Sequence, residues 1–503
     1  MSARWTEGYH TGMQYSAGYY RELCPQHLRF CLLIRGIEPP PAAGVRYCEL
    51  AMGLGCSANI HAAANDGDFT GMDFQPGYAA LAAQLAREGG SGLRVTDESL
   101  AEFSARSHAP YDYLCLHGGW SWFSRTNREH VVKLARQALR PGGILYLSYN
   151  CWPGWSPVAP LRELFKLFDD FYGCPGLPPD GRIRNAVALT DALLQRKPLF
   201  LNGSTWIEER FAGLKNEDPA YLAHEFFNAS WHVTWFRDVA EQLAEAKLDF
   251  GASARIRDNL DNFGLTPDAA EFIRNLSNPV VREQVWDFFC NTQFRTDIFV
   301  KGARRLSAVR RRELLLNERF VLAVLPQEVH YSLECGMGIF ALEEKIHGHI
   351  VELLAADQFR PKSLQELKDR IESRISWEQL VGAVARLAAK GYVQPCGPEP
   401  DRDRVRRCHR LNSIIFGREN IFPFPNAAAS PITGGSLNLL DGEGLLLALA
   451  HKDDDDCSGY AQDKVPIRHD SPLHDEAPPY APATQCTGNE ARMDLLRAHG
   501  LLS

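Results

Sequence analysis

Residues 46–57 of this chain read Arg46-Tyr-Cys-Glu-Leu-Ala-Met-Gly-Leu-Gly-Cys-Ser57, and this stretch decides the expected fold. An apolar strand leads into the pattern Glu-x-Ala-x-Gly-x-Gly, which a predicted helix follows. Because Gly53 and Gly55 lack a Cβ atom, the backbone can approach a ligand closely there, and the helix presents free N–H groups to it. The third glycine of the dinucleotide pattern G-x-G-x-x-G is absent, so the turn alone predicts a nucleotide-like ligand without identifying it.

Short apolar runs and helical stretches alternate around this turn, over residues 45–150. Such alternation is typical of βαβ units that form a parallel sheet. The expected fold class is therefore α/β with a Rossmann-like domain. The predicted strands are Val45–Leu50, Phe69–Asp73, Leu93–Thr96, Tyr111–Leu116 and Gly143–Tyr149, and the predicted helices between them are Asn59–Ala64, Tyr78–Arg87 and Arg128–Leu139.

Acidic residues follow the second and third predicted strands. Asp73 ends the second one, where a carboxylate can accept hydrogen bonds from both hydroxyls of a ribose. The alternative is that Asp73 only caps the helix that begins at Gln75-Pro76. Asp97 follows the third strand and could hold an adenine amino group, and a helix N-cap is an equally good interpretation of it.

Length and composition exclude several classes of protein. A chain of 503 residues is expected to form about three domains, and its 45% apolar content excludes a wholly disordered protein. No apolar run approaches the roughly 18 residues of a membrane-spanning helix, and the N-terminus lacks the apolar segment of a signal peptide. The 13 cysteines include no C-x-x-C pair, which disfavours a disulfide scaffold or a zinc ribbon and favours a reduced, cytoplasmic protein.

The rest of the chain predicts further domains. Residues 1–38 are expected to form an N-terminal cap, 39–157 the Rossmann-like domain and 158–325 a mainly helical middle or regulatory domain. Residues 326–448 are expected to form a small α+β domain in which helix, helix, turn, helix and short strand resemble a winged helix. Its arginines at 402–410 could contact phosphate, but a solvated surface loop is the preferred interpretation. Residues 449–503 are predicted to be an acidic tail that is disordered over 451–488, where prolines interrupt it, and Asn489–Leu502 could form a short helix at its end.

Two further blocks carry a resemblance to a known family. They are His117-Gly-Gly-Trp-Ser-Trp-Phe123 and Ser148-Tyr-Asn-Cys-Trp-Pro-Gly-Trp155. With Glu49–Gly55 and Asp73, they resemble a class I S-adenosylmethionine (SAM)-dependent methyltransferase that carries a methyltransferase regulatory domain. That family includes the rickettsial outer-membrane-protein lysine methyltransferases. His224–Asn228 and Gln293–Phe299 resemble its middle-domain segments, so the likeness covers about residues 15–305.

The resemblance implies an enzyme with SAM as its cofactor. The residues expected to bind the cofactor are Glu49, Ala51, Gly53, Gly55, Asp73 and Asp97. Ala51 departs from the family pattern, which has glycine at this position, and its methyl group is expected to crowd the ligand. The segment His224-Glu225-x-x-Asn228 lacks the second histidine of a zinc-binding H-E-x-x-H helix, so no metal is expected and a buried pair is the preferred interpretation of His224 and Glu225.

Aromatic and polar residues at the ends of the fourth and fifth predicted strands are candidates for the acceptor site, because ligands bind at the carboxyl ends of parallel strands. Tyr149 and Asn150 are expected to face the methyl acceptor, and His117 is expected to accept a proton or, equally, to fix its loop. Packing of a loop is an alternative interpretation for Trp122 and Trp155. The residues expected to line the acceptor pocket are Trp120, Trp122 and Trp152, with Trp155 as a further candidate.

Three functions remain open at this point. The first is methyl transfer to a nitrogen or oxygen acceptor, with protein lysine implied by the resemblance and a sugar or small metabolite as alternatives. The second is a SAM-binding scaffold without turnover, favoured by Ala51. The third, modification of nucleic acid, is disfavoured by the net charge of −8, although the tail 451–503 supplies much of that charge. No membrane contact is expected, and the predicted helix at 160–172 could serve a homodimer.

Overall fold

In the computed structural model, seven strands form the central sheet: β1 (Val45–Leu50), β2 (Gly67–Met72), β3 (Arg94–Thr96), β4 (Tyr111–Leu116), β5 (Leu139–Asn150), β6 (Leu248–Ser253) and β7 (Phe294–Lys301). Their order is β3-β2-β1-β4-β5-β7-β6. The first five strands run parallel, and β7 is antiparallel to both of its neighbours. The structure describes residues 4–9, 11–14, 17–174, 176–201, 205–260, 263–335, 337–371, 375–417, 425–440, 442–450 and 490–502. The predicted disorder at 451–488 lies outside these residues.

The prediction of a Rossmann-like α/β sheet is confirmed, and the sheet is larger than predicted. All five predicted strands are present. Strands β6 and β7 come from the part of the chain that we expected to be mainly helical, and they continue the sheet beyond β5. Residues on both sides of position 157, the predicted domain boundary, therefore build one sheet.

Alternation along each strand gives the sheet two buried faces. Tyr47, Tyr113 and Tyr146 pack on one face, together with helix α1. Leu114 and Leu147 belong to the other face, which packs against α4 and α5. The helices of this part are α1 (Pro25–Ile34), α2 (Cys56–Ala64), α3 (Pro76–Gly89), α4 (Leu100–Ala105) and α5 (Arg125–Ala138).

Four α-helices in the described residues form an insert between β5 and Phe236, where the helix α10 begins. They pack around their own apolar core, which includes Phe165, Phe211 and Phe226. The insert begins and ends at one point of the sheet, because Cys151 forms a β-bridge with Thr234. Its helices are α6 (Ala159–Tyr172), α7 (Pro179–Leu194), α8 (Thr205–Leu214) and α9 (Pro219–Phe226), and the chain continues through α10 (Phe236–Ala244), α11 (Pro267–Asn275), α12 (Pro279–Cys290) and α13 (Ala308–Asn317).

The helix α6 leaves large apolar side chains in solvent. Phe171 is 76% exposed and Tyr172 is 65% exposed, while Leu161 and Phe165 of the same helix are buried. A homodimer through this helix stays a prediction. None of the helices in the described ranges combines the length and the apolar character that a bilayer crossing requires.

The segment after α13 contains the predicted order of helix, helix, helix and strand. Its elements are β8 (Arg319–Leu322), β9 (Ser332–Cys335), β10 (Gly338–Ala341), α14 (Glu344–Ala355), β11 (Lys362–Ser363), α15 (Leu364–Arg370), α16 (Trp377–Ala389) and β12 (Val393–Pro395). The first helix of this order is expected from the sequence over Ile339–Leu354, but Gly338–Ala341 form β10 and the helix begins at Glu344. Strand β12 pairs with the upstream strand β8 instead of forming a hairpin with a following strand. Strand β8 thus lies between β11 and β12 in a small antiparallel sheet, and the resemblance of this segment to a winged helix stays a prediction.

The arginine-rich stretch forms a helix and not the predicted surface loop. This is α17 (Arg402–Gly417), followed by β13 (Ala427–Ala429), β14 (Ser436–Asn438), α18 (Glu443–Ala450) and α19 (Glu490–Ala498). Arg407 donates to the Asp66 carboxylate over 3.2 Å, and Arg410 donates to the Glu88 carbonyl over 2.8 Å. These bonds fasten α17 to the sheet domain through the two guanidinium groups.

Candidate active site

The turn between β1 and α2 has the left-handed backbone that its glycines allow. The φ angles are +50° at Ala51, +57° at Gly53 and +70° at Gly55. A Cβ atom on Gly55 would lie 2.6 Å from the Cβ of Ala82, so glycine lets α3 pack closely against the turn. A Cβ atom on Gly53 would meet nothing within 4 Å, which leaves open space for a ligand beside the backbone. Ala51 adopts a conformation that is unusual for a residue with a side chain.

We expect Ala51→Val to lower the free energy of unfolding by about 2 kcal/mol, because a β-branched residue is strained at a φ of +50°. Ala51→Gly is the matched control and is expected to stay within about 1 kcal/mol of the natural protein, since relief of strain offsets the added chain entropy. Urea denaturation followed by circular dichroism measures both variants. Equal stability of the valine and glycine variants would contradict a left-handed backbone at this position.

Asp73 follows the end of β2, and its carboxylate is fixed by two backbone donors. Oδ2 accepts the N–H of Gly53 over 2.9 Å, and Oδ1 accepts the N–H of Gln75 over 2.9 Å. Burial raises the pKa of Asp73 to about 6. Each oxygen retains a lone pair for another donor. The capping role belongs to Gln75, whose side chain accepts from the first turn of α3.

Glu49 lies at the end of β1 and is 4% exposed. The Tyr47 hydroxyl donates to its Oε2 over 3.2 Å, because residues two apart in a strand share a face. Burial raises the pKa of Glu49 to about 8, against the opposing effect of this hydrogen bond. A positively charged group that binds beside Glu49 would therefore lower this pKa and cause the carboxyl group to ionise.

Asp97 is exposed and does not line the cavity beside the turn. Helix α4 is capped by Ser99, which forms a capping box with Glu102, so Asp97 is not the N-cap either. Ser99 and Leu100 line the cavity in its place. The loop after β3 thus contributes to the site through the two residues that begin α4.

A cavity of about 290 Å³ extends over the carboxyl ends of β1, β2, β4 and β5. Its far wall comes from helices α8 and α9 of the insert and from an N-terminal strap, which we define as the described residues between 5 and 20. The Tyr9 hydroxyl lies 3.1 Å from Nδ1 of His224, and the carbonyl of Met13 lies 2.9 Å from Nε2. The backbone N–H of Tyr20 donates to the Ser57 hydroxyl over 2.9 Å. The strap therefore bonds to both walls of the cavity.

Four of the residues predicted for the acceptor site line this cavity: His117, Trp122, Asn150 and Trp155. The Tyr146 hydroxyl lies 2.8 Å from Nδ1 of His117. The ring of His117 packs on Tyr20 of the strap, with ring centres 3.9 Å apart. Asn150 is 4% exposed and lies beside the loop that follows β4.

Three of the residues predicted for the acceptor site lie outside the cavity lining. Tyr149 follows Ser148 in β5 and faces the opposite side of the sheet from Asn150, where its hydroxyl donates to Asp297 over 2.6 Å. Trp120 is fully buried in the core beneath the sheet, with Arg128 over its ring. Trp152 packs between the insert and Trp235. Consecutive strand residues face opposite sides, so Tyr149 and Asn150 cannot serve one pocket together.

Sequence reasoning missed the residues of the far wall. They come from segments remote from the cofactor turn, and their approach depends on tertiary packing. The one available signal was the segment at 224–228, in which His224 is buried as predicted while Glu225 is half-buried and lines the cavity. The missed lining residues include Thr6, Tyr9, Tyr20, Arg210, Tyr221, Arg255 and Phe294. Within the described ranges, no three His, Cys, Asp or Glu side chains are grouped to hold a metal ion.

Comparison with protein families gives two matches. A family model described as "Methyltransferase domain" matches residues 48–143. A second model, described as "Predicted methyltransferase regulatory domain", matches residues 218–301. The first range contains the cofactor turn and Asp73. The second range begins in the insert at α9, where Glu225 lies, and ends in β7.

Relatives extend the likeness to almost the whole chain. Protein sll1526 of Synechocystis sp. PCC 6803 is 33% identical over 457 residues, which is 90% of this chain and 89% of that protein. Protein RP789 of Rickettsia prowazekii is 22% identical over 60% of this chain and 54% of its own length. The solved structure of PKMT2 from Rickettsia typhi in complex with AdoHcy has the same fold, with a TM-score of 0.63 and 16% identity over 90% of this chain and 94% of that chain.

Proposed function

Because this chain belongs to the class I SAM-dependent methyltransferases that carry a methyltransferase regulatory domain, we propose that it methylates the side-chain amine of lysine in a protein substrate. The observation that carries this proposal is the composition of the far wall of the cavity. There Glu225 lines the cavity together with the half-buried tyrosines Tyr9 and Tyr20, and its carboxylate is near enough to both phenols to raise their pKa values. A carboxylate beside aromatic rings is suited to an ammonium group.

The cofactor side of the cavity has the groups that SAM requires. The open space at Gly53 admits a ligand against the backbone, and the buried Asp73 carboxylate is suited to accept the two ribose hydroxyls. Glu49 is suited to pair with the cofactor's amino group. SAM, when bound, supplies a methyl group activated by a positively charged sulfur. Of the predicted cofactor residues, Asp97 alone does not line the cavity.

Cofactor binding at pH 7 is expected to release about one proton, because the Glu49 pKa of about 8 leaves its carboxyl mostly protonated until the positive amino group arrives. The release is expected to disappear at pH 9 and in Glu49→Gln. Titration calorimetry in two buffers that differ in ionisation enthalpy measures the number of protons. An unchanged release in Glu49→Gln would assign the proton to another group.

The far wall would receive the acceptor amine. Burial, together with the nearby Glu225 carboxylate, raises the pKa of Tyr20 well above its ordinary value, so the Tyr20 phenol keeps its proton. The Glu225 carboxylate would orient the lysine ammonium, and the adjacent rings would exclude water from it. The ammonium must lose a proton before its nitrogen can attack the methyl group. His117 is the proposed acceptor of that proton, and Asn150 is proposed to position the acceptor.

We expect Glu225→Gln to lower the rate of lysine-peptide methylation by roughly 10- to 100-fold, because the variant loses the charge that holds the ammonium. Cofactor affinity is expected to change less than about threefold, since Glu49 and Asp73 are untouched. Glu163→Gln, on the exposed face of α6, is the matched control and should leave both quantities unchanged. If the Glu225→Gln variant methylated the peptide at the natural rate, the proposed role of Glu225 in binding the amine would be wrong.

The substrate class is tested by transfer of radiolabelled methyl groups from SAM to a cell lysate that is then fractionated. Label in protein, recovered after hydrolysis as methylated lysine, supports the proposal. Label in carbohydrate or in small metabolites would contradict lysine methylation and identify that class of molecule as the acceptor. The second candidate function is a scaffold that binds SAM without turnover, and the unusual Ala51 at the first position of the turn favours it. SAM binding without transfer to any fraction would support this second function.

A further inference from the structure

The cavity lining contains two arginines, and their surroundings differ. Arg210 lies on the far wall near Glu217, where burial raises the pKa of the Glu217 carboxyl group and Arg210 opposes this effect. Arg255 follows β6, and the carboxylate closest to it in sequence, Asp258, pairs with Arg257 over 3.6 Å. No residue in the described part of the chain forms a hydrogen bond or an ion pair with the Arg255 guanidinium group. Within that part, Arg255 is therefore a cavity cation without a counter-ion.

Backbone contacts hold Arg255 where its side chain reaches the cavity. Its N–H donates to the Ser253 hydroxyl over 3.1 Å, and its carbonyl accepts from the Asn259 amide over 3.4 Å. The guanidinium carbon lies 6.0 Å from the ring centre of Phe294, and that ring lies 6.1 Å from the ring of His117. All three side chains line the cavity. Arg255 is half-buried, and none of its nitrogens is among the buried atoms without a partner, so a ligand can reach them.

The order of the strands separates Arg255 from the cofactor residues. Glu49 lies at the end of β1, whereas Phe294, which the guanidinium group faces, begins β7, three strands further along the sheet. Because neighbouring strands are about 4.8 Å apart, this separation is roughly 14 Å. The carboxylate of SAM shares a carbon atom with the amino group that Glu49 is proposed to hold, so it would lie far from Arg255. An anion beside Arg255 therefore belongs to the acceptor.

The chemistry of a guanidinium group restricts which part of the acceptor it can bind. Its planar fork donates two parallel hydrogen bonds, which a carboxylate accepts with both oxygens. The lysine ammonium carries the same charge as Arg255 and is proposed to bind Glu225 on the far wall. The two sides of the cavity thus suit a substrate that carries a positive group and a negative group close together.

We propose that Arg255 binds a carboxylate of the substrate polypeptide next to the acceptor lysine, supplied by an acidic side chain or by the C-terminus. This inference rests on the proposed function and narrows it to lysines in an acidic context. It assigns Arg255 to the choice between substrates and not to cofactor binding.

The test compares peptides that differ only beside the lysine. Acetyl-Gly-Asp-Lys-Gly-Gly-amide and acetyl-Gly-Gly-Lys-Asp-Gly-amide are each paired with the asparagine peptide, and acetyl-Gly-Gly-Lys is paired with its C-terminal amide. For the preferred pair, we expect kcat/KM of the acidic peptide to be roughly 5- to 30-fold higher, since hydrogen bonds to a charged group are lost in the neutral one. Arg255→Met is expected to bring this ratio below about twofold and to leave the neutral peptide's rate unchanged.

Two further variants make this comparison specific. Arg255→Lys keeps the charge and loses the planar fork, so its ratio is expected to lie between those of the natural protein and Arg255→Met. Arg237→Met removes an exposed arginine of α10 that lies outside the cavity lining, and it should keep the natural ratio. Thermal melts verify that each variant is folded. The affinity for S-adenosylhomocysteine, measured by titration calorimetry, should be the same in all of them.

Binding of the same peptides to the enzyme saturated with S-adenosylhomocysteine separates this inference from the proposed function. An acidic preference in binding that Arg255→Met abolishes, without methyl transfer to any peptide, supports the carboxylate site and contradicts lysine methylation. Equal binding of acidic and neutral peptides, binding of neither, or a preference that persists in Arg255→Met overturns the inference, and methylation of the peptides would then leave the proposed function standing. A loss of S-adenosylhomocysteine affinity in Arg255→Met assigns the guanidinium group to the cofactor and also overturns the inference.

Discussion

Replacing Asp73 by alanine is expected to weaken SAM binding by roughly 100- to 1,000-fold. This is the largest effect on ligand binding that we expect from a substitution in the site. Hydrogen bonds to a charged group each contribute about 1.5–3 kcal/mol, and the proposed role gives Asp73 two of them. The side chain also holds the N–H groups of Gly53 and Gln75, so the alanine variant frees the turn that faces the ligand. Titration calorimetry with SAM measures the affinity directly.

Asp73→Asn is the matched control, because it keeps the shape of the side chain and one acceptor oxygen. We expect it to weaken binding about 10-fold, between the natural protein and the alanine variant. A thermal melt of each variant verifies that the sheet is folded before titration. If the alanine variant, shown to be folded, bound SAM with the affinity of the natural protein, Asp73 would have no part in cofactor recognition.

The largest expected effect on stability follows from Arg295→Met. Arg295 is buried in β7 and bonds three carboxylates: Asp297 over 2.8 Å, Asp287 over 2.8 Å and Glu283 over 3.0 Å. Removing the cation leaves acidic groups buried without compensation, and breaking a buried pair in this way costs about 3–5 kcal/mol. The change is measured as the shift of the urea unfolding midpoint.

Two comparisons make this prediction specific. Arg304→Met removes an exposed arginine that pairs with Glu38 at the surface, and it is expected to change stability by less than about 1 kcal/mol. The cost of Arg295→Met should also shrink at pH 5, because burial raises the pKa of Asp287 to about 7 and the protonated acid needs no cation. Equal midpoints for the two methionine variants would show that the buried network does not hold the sheet.

The first five strands could be predicted because their short apolar runs alternate with helical stretches, as in βαβ units. The last two strands could not. In β7, the charged residues Arg295 and Asp297 are both buried, and they neutralise each other in an ion pair. Because charged residues in a sequence are typical of exposed segments, this buried strand was not predicted. In β6, the pairing with β7 shifts register between Phe250 and Ala252, which interrupts the alternation that identifies a strand.

The site divides in the same manner. The residues from Glu49 to Asp73 that we predicted to bind the cofactor lie within 25 residues of sequence, and the structure brings them together in the lining of one cavity. The acceptor half depends on which face each side chain takes. Trp122 and Trp155, for which packing was an alternative interpretation, line the cavity, while Trp120 and Trp152 do not. Sequence alone carried no information about Tyr9 and Tyr20, because the strap reaches the cavity only in the folded chain.

The β-bridge between Cys151 and Thr234 has a consequence for engineering. The backbone N–H of Trp152 donates to the Thr234 carbonyl and that of Thr234 to the Asn150 carbonyl, each over 3.1 Å, so the two ends of the insert adjoin. A segment whose ends meet on a rigid sheet can be exchanged as a cassette, whereas truncation near residue 157 would remove two strands. Chimeras that graft the insert of one homologue onto the sheet of another would therefore transplant the wall that bears Glu225 and leave the cofactor turn intact.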